Sequence, residues 1–408
     1  MRTNQQTHGA GWALDEALRA FKSGQYAQAE AGFRRALGLA PDFAPCYVNL
    51  IAALHAQGKT DEAIGWCEKG LARFPNNRDL LGNFAVNLDS TGRYDEALAL
   101  LERTLAAYPR DAKAHYHIGT ISLKSGHYDV AAEHFGSATQ INPRDALSFC
   151  GRGEALLKSG AAAAAIEAFD DALRLNPFDV RALALKTLAL AEAGRTEDER
   201  WLSDPFRLAQ TLRLSDLGYS AEAQNALNAE LAIFATSHPS MQQDPPANAT
   251  YKGWHSGNLA TERHPALEEL KKFIAYALEQ RRKNLAGEDP THPFVRALPR
   301  AFSLHLWSVK LVAEGKMVPH IHTSGWLSGV YYVDVPGVVN DEGAGQAGWL
   351  RLGPARHDIP MTREPIVRAM KPEPGLMFTF PSYLWHETVP LPAGAEQRLC
   401  YSYDLQPA

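Results

Sequence analysis

Cysteine is scarce in this chain and clusters nowhere: Cys46, Cys67, Cys150 and Cys400 are the only four in 408 residues. No two of them stand at metal-ligand or redox spacing, so they read as buried thiols of a reducing compartment, not as a disulfide frame. No apolar run approaches the roughly 18 residues that mark a membrane span. The polar opening Met1-Arg2-Thr3-Asn4-Gln5-Gln6-Thr7 leads into no apolar stretch of the secretory type. Neither sign of charge dominates: 41 basic side chains stand against 46 acidic ones, a formal net charge of −5. That balance argues against nucleic acid and anionic membrane as partners. Together these absences lead to the expectation of a soluble cytoplasmic protein. Apolar material is ample at 45% of residues, with 21% charged, which excludes a wholly disordered chain. The length predicts two or more domains.

The first half repeats itself. Glycine recurs at 24, 58, 92, 126, 160 and 194, each step 34 residues, and proline recurs at 41, 75, 109, 143 and 177 with the same step. Alanine follows the glycine by five at 29, 63, 97, 131 and 165, with larger side chains at Phe33, Cys67, Leu101, Phe135 and Phe169. The glycine suits a turn between two helices, where a residue without Cβ is least restricted. The alanine lets the second helix approach the first, and the proline ends it. This 34-residue unit resembles the tetratricopeptide repeat. The resemblance covers about residues 10–200, with five good repeats and a degenerate sixth from Val180, in which Glu199 replaces the alanine. It implies an all-α solenoid whose concave face holds a protein or peptide partner. A self-association or spacer module is the other reading. Tyr47, Asn49, Asn83, Asn87, Tyr116 and His117 fall on first helices and are candidate groove residues.

The period fails near Asp204. Residues 205–235 still read as helical, 236–262 as a turn-rich loop serving as lid or linker, and 264–286 as an amphipathic helix. Beyond about 300 the texture changes to short β-branched or aromatic segments: 303–313, 327–335, 348–352, 366–370, 375–380 and 398–405. Six or more short strands behind supporting helices predict a double-stranded β-helix, or jelly roll. The expected class is α+β multidomain: repeats over 10–203, a helical linker with supporting helices over 204–300, and the jelly roll over 301–408. Gly375 is expected in a tight turn before a strand. Trp326, Trp349 and Trp385 are expected in the core, and His305 and His357 in structural roles.

Chemistry concentrates in Pro319-His320-Ile321-His322 and in His386, 66 positions after His320. Alternate residues of a strand share a face, so His320 and His322 are expected to point into one cavity. His386 follows the apolar run Leu376-Met377-Phe378-Thr379-Phe380, a candidate neighbouring strand. Three imidazoles converging there would hold a metal and leave coordination positions open.

The motif His-x-His, then Ser328-Gly329-Val330-Tyr331-Tyr332, then Gly348-Trp349-Leu350, then Phe380-Pro381-Ser382-Tyr383-Leu384-Trp385-His386, then Arg398, resembles a family of bacterial iron(II)/2-oxoglutarate oxygenases. The resemblance spans roughly residues 205–408 and is specific in the last 110. It implies Fe(II) held by His320, His322 and His386, with 2-oxoglutarate as co-substrate. That co-substrate would chelate the metal and be oxidised to succinate as a C–H bond is hydroxylated. It further implies that Arg398 pairs with the far carboxylate of 2-oxoglutarate, since a guanidinium forks onto a carboxylate as lysine cannot. Tyr332 shares the parity of the two histidines if the strand runs unbroken, and would bond the same carboxylate. Ser328 and Cys400 share inward parity, and Ser328 joins Arg398 and Tyr332 as a candidate for binding the co-substrate.

One departure stands out. Such sites commonly use two histidines and one carboxylate, but the second ligand position here is His322. The nearby carboxylates are Glu387, which would face away on a regular strand, and Asp334, farther along. Three readings therefore stay open: a 2-oxoglutarate-dependent dioxygenase; a three-histidine cupin-type enzyme, such as a thiol dioxygenase, with no 2-oxoglutarate; and a repeat scaffold with an inactive jelly roll. Arg398 could also be an ordinary salt-bridged strand residue.

Overall fold

The 34-residue period becomes paired antiparallel helices. A computed structural model describes residues 4–246 and 249–408. Its helices are α1 (Asn4–Lys22), α2 (Tyr26–Leu39), α3 (Ala44–Ala56), α4 (Thr60–Arg73), α5 (Arg78–Ser90), α6 (Tyr94–Ala107), α7 (Ala112–Lys124), α8 (Tyr128–Ile141), α9 (Ala146–Lys158), α10 (Ala162–Leu175), α11 (Val180–Glu192) and α12 (Thr196–Ser203). The turn glycines from Gly24 to Gly194 all take φ between 70° and 87°, the left-handed region where a Cβ is penalised. Ala29, Ala63, Ala97 and Ala131 are fully buried, beside Phe33, Cys67, Leu101 and Phe135. The chain falls into two compact units, residues 1–155 and 156–408.

In the first unit, Phe135 stitches successive helices together. A Cβ built on Gly151 would lie 2.7 Å from its ring, and one on Gly119 would lie 3.0 Å away. Tyr47 is core, packed against Trp66 and Phe74. Asn87 is buried with its Oδ1 3.0 Å from the His55 ring. Asn83, Tyr116 and His117, by contrast, line a groove together with Arg78, Asp111 and Leu147.

The second unit holds α10 to α12, the helices Ala221–Ser237 and Pro265–Leu285, and ten strands. These are β1 (Gln210–Arg213), β2 (Gln242–Gln243), β3 (Thr250–His255), β4 (Phe302–His320), β5 (Leu327–Asp334), β6 (Leu350–Leu352), β7 (Arg368–Met370), β8 (Leu376–Pro381), β9 (His386–Thr388) and β10 (Arg398–Pro407). All pairings are antiparallel, in the order β1-β8-β5-β10-β4-β9-β6-β7, with β3 also on β4 and β2 on β3. The 19-residue β4 is the hinge of this path. Its first half pairs with β10 through Phe302–Leu311, and its last residues pair with β9. The path curls back on itself, so Phe380 of β8 meets His386 of β9 at 4.8 Å between ring centroids. This is the jelly roll, with its cavity between the two layers.

Four local readings change. The segment 205–235 is not all helix, since β1 within it pairs with β8. The segment 236–262 is not all loop, since β3 adds an ordered strand to β4. The strand expected to stop at 313 continues to His320 through a bulge, where Glu314 takes φ 62°. His322 lies beyond the end of β4, in the turn that leads to β5, so the strand carrying the histidines does not run unbroken to Tyr332. Gly375 does make its turn, at φ 82° just before β8.

Candidate metal centre

Each histidine reaches the cavity by a different route. His320 closes β4, His386 opens β9, and the two are cross-strand partners, with ring centroids 4.1 Å apart. His322 is held by the turn, where its backbone N–H donates to Ser382 O at 3.2 Å. Its ring centroid lies 5.1 Å from that of His320 and 4.9 Å from that of His386. One ring nitrogen from each of the three histidines falls within 4.8 Å of the others.

Their tautomers follow from the partners. His320 Nδ1–H donates to Val318 O at 2.8 Å, and His386 Nδ1–H to Leu384 O at 3.0 Å. His322 Nδ1–H donates to the Asp404 carboxylate at 2.6 Å. A carbonyl or carboxylate can only accept, so every Nδ1 carries a proton, and in a neutral ring Nε2 then keeps its lone pair. Burial, then the like charge of His322, pushes His320 down to about 3. Burial, then His320 and His322, holds His386 well below the usual histidine range. Both rings are therefore neutral near pH 7, the state a metal ligand requires. This donor set fits a divalent transition metal with open positions.

Asp334 lies outside the group, accepting a bond from Gln397 at 3.4 Å. Glu387 is ion-paired with Arg351 at 2.9 Å. His305 and Trp307 stand on the wall of the cavity mouth, and His357 belongs to no metal-ligating group among the described residues.

The co-substrate candidates converge as well. Arg398 lies inside the cavity, 2% exposed, on the first residue of β10. Its Nη1 donates to Thr388 Oγ1 at 2.9 Å and its Nη2 to the Tyr332 hydroxyl at 3.3 Å, with the guanidinium over the Tyr332 ring. It has no carboxylate partner among the described residues, and its Nε is buried without an acceptor. Burial raises the Tyr332 phenol above its ordinary range, so it stays protonated. Cys400 lines the same wall, its thiol raised by burial and donating to Val309 O at 3.7 Å. The Ser328 hydroxyl is committed to Asp404 at 2.7 Å and to Ser382 at 2.9 Å.

Among the described residues six buried side-chain polar atoms lack a partner, and three belong to the walls of these cavities: Arg398 Nε, Trp307 Nε1 and Thr250 Oγ1. Orphaned polar groups are costly in a folded interior. Sequence reasoning missed Asp404, Trp307 and Thr388. The signal for Asp404 was available, since Arg398, Cys400, Ser402 and Asp404 alternate along one strand.

The tryptophans expected in the core serve as struts. Trp326 Nε1 donates to Phe294 O at 3.0 Å and Trp349 Nε1 to Val339 O at 3.1 Å. Trp385 Nε1 donates to Ala184 O of α11 at 2.9 Å, and the Tyr383 hydroxyl to Leu202 O of α12 at 2.7 Å. The turn that delivers His386 is thus tied to repeat-helix backbone within its own unit.

Residues 305–404 match the family model described as "Putative 2OG-Fe(II) oxygenase". Residues 20–81, 54–119, 88–148 and 150–203 match tetratricopeptide repeat models. The chain is a tetratricopeptide repeat array fused to a 2OG-Fe(II) oxygenase domain. No curated protein sequence matches it. Among solved structures, the type IV pilus biogenesis factor PilW is similar at 18% identity and TM-score 0.45, over 53% of this chain and 98% of that one. PilF of Pseudomonas aeruginosa is similar at 20% identity and TM-score 0.44, over 48% and 88%. YrrB, a repeat protein described as having an unusual peptide-binding site, is similar at 24% identity and TM-score 0.36, over 43% and 91%. Among the described residues of this repeat–oxygenase fusion, no helix is long and apolar enough to cross a membrane.

Proposed function

We propose that this protein is a cytoplasmic iron(II)- and 2-oxoglutarate-dependent dioxygenase that hydroxylates a C–H bond of a protein, peptide or small-molecule substrate. In this reading His320, His322 and His386 hold the metal, and Arg398 with Tyr332 fixes the far carboxylate of 2-oxoglutarate. Bound iron(II) would supply the dioxygen chemistry. The chain's own work is to orient the acid, keep the His320 and His386 imidazoles neutral, and enclose the site with Met317, Val330, Leu350 and Phe380, which line the cavity. The repeats over 10–203 recruit a partner or present the substrate, 204–300 supports the barrel, and 301–408 carries the chemistry.

The observation that carries this reading is Arg398. A buried cation without an anion is expensive, and one placed in the cavity that holds three imidazoles is most simply explained by an anionic ligand. The decisive experiment is an anaerobic titration of the protein with Fe(II) and then 2-oxoglutarate. A metal-to-ligand charge-transfer band should appear, and succinate should form once oxygen is admitted. Protein that binds iron but neither binds nor turns over 2-oxoglutarate would reject the reading.

The all-histidine donor set favours a second reading, a three-histidine cupin-type enzyme such as a thiol dioxygenase acting without 2-oxoglutarate. The Arg398→Ala variant separates the two: it weakens 2-oxoglutarate binding under the first and leaves co-substrate chemistry untouched under the second.

A further inference from the structure

The metal group contains no carboxylate, yet one carboxylate stands a single hydrogen bond away. Asp404 is 6% exposed on the inner face of β10, opposite Ser328 of β5 and His305 of β4. Its Oδ1 accepts from His322 Nδ1 at 2.6 Å and from Ser328 Oγ at 2.7 Å. Among the described residues no lysine or arginine pairs with it, and His322 is its one ion-pair partner. The other two imidazoles donate to neutral main-chain carbonyls, so the three are electronically unequal.

We propose that Asp404 is a positioning residue that supplies, through His322, the negative charge a ligating carboxylate would otherwise give. The proposal rests on the metal reading above. A carboxylate accepting from Nδ1–H draws the proton toward itself, makes Nε2 a stronger donor, and fixes the ring plane. Ser328 and Ser382 form a hydroxyl chain, 2.9 Å between oxygens, that holds the carboxylate in turn. Gly325 lets the turn pack against this network: a Cβ there would lie 2.4 Å from Ser382 Oγ and 3.4 Å from Asp404 Cγ. One protein negative charge thus enters the metal environment while the ligand set stays all-histidine.

The test compares wild type with Asp404→Asn and Ser328→Ala in the full-length protein. Asn keeps the size of the side chain and an oxygen to accept from Nδ1–H, so a purely structural role predicts no change. The measurements are Fe(II) affinity by anaerobic competition with a chromophoric chelator, and the potential of the iron couple. Asp404→Asn should weaken Fe(II) binding about 10- to 100-fold and move the potential positive. Ser328→Ala removes one donor from the carboxylate, strengthens its pull on His322, and should move the potential negative; it carries the test if the Asn variant does not fold. Affinity within twofold of wild type with unchanged potential would overturn the role of Asp404 while leaving the metal site standing. Wild-type protein that holds no iron would overturn both.

Discussion

Replacing Arg398 with methionine tests the oxygenase reading from two independent directions. The guanidinium is buried and bonded to Thr388 and Tyr332, with one orphaned nitrogen. Were Arg398 paired with a carboxylate of the protein, breaking that pair would cost about 3–5 kcal/mol of stability. Without one, the protein bears the desolvation cost and recovers little, so methionine of similar length should leave the melting temperature unchanged or raise it. The loss should appear in binding instead. A bidentate arginine–carboxylate contact in a dry cavity is worth roughly 3–5 kcal/mol when one partner is removed. At 1.4 kcal/mol per decade, 2-oxoglutarate affinity should fall by about two to three and a half orders of magnitude. The assay is the charge-transfer titration under anaerobic conditions, run beside thermal unfolding of the metal-free protein. Arg398→Met protein that binds 2-oxoglutarate within threefold of wild type, or that loses several degrees of stability with binding intact, would refute the assignment.

Three further outcomes follow from the geometry. In metal-free protein His320 titrates near 3 and His386 also well below the usual histidine value. The unfolded chain therefore takes up protons first as pH falls below about 6.5, and stability should decline by up to about 1.4 kcal/mol per pH unit per histidine. Urea unfolding between pH 7.5 and 5 should show this slope, and His320→Asn should remove its share; an unchanged slope would contradict it. Trp385→Phe deletes the bond to Ala184 O and should cost about 1 kcal/mol while lowering Fe(II) affinity, read by denaturant melts and metal competition. Gly329→Ala places a Cβ 2.3 Å from the Tyr403 ring, an overpacking expected to cost about 1–3 kcal/mol or more. A melt indistinguishable from wild type would show that the ring can move aside.

The repeat half was legible because a helix–turn–helix unit writes its constraints locally: Gly24 and Pro41 act on their own neighbours, and the period exposes them. The histidines were legible for a different reason, as rare residues in a tight motif. What failed was extrapolation along a strand. Tyr332 was reasoned into the cavity by counting parity from His320, but the chain leaves β4 at His320 and turns before β5. Tyr332 arrives because β5 pairs with β10, where a register shift between Leu399 and Cys400 sets it opposite Cys400. The strand β3 was illegible because Lys252 at φ 50° breaks its alternation, and only pairing with β4 makes it a strand. The alternation of Arg398, Cys400, Ser402 and Asp404 put Asp404 on the inner face, but its bond to His322, 82 residues away in the chain, is a contact no local pattern reports.

The inner row of β10 behaves as a ruler with a charge at each end. Arg398 marks one end and Asp404 the other, six residues on, or roughly 20 Å at 3.3 Å per residue. A single insertion or deletion between them would turn one of the two outward, because neighbouring side chains exchange faces at every step. Length changes in this strand are therefore tolerable only in pairs, and even a pair would shift Arg398 by about 7 Å relative to Asp404. The span between Arg398 and Asp404 is thus set by backbone counting, so loops elsewhere are free to drift while this segment is not.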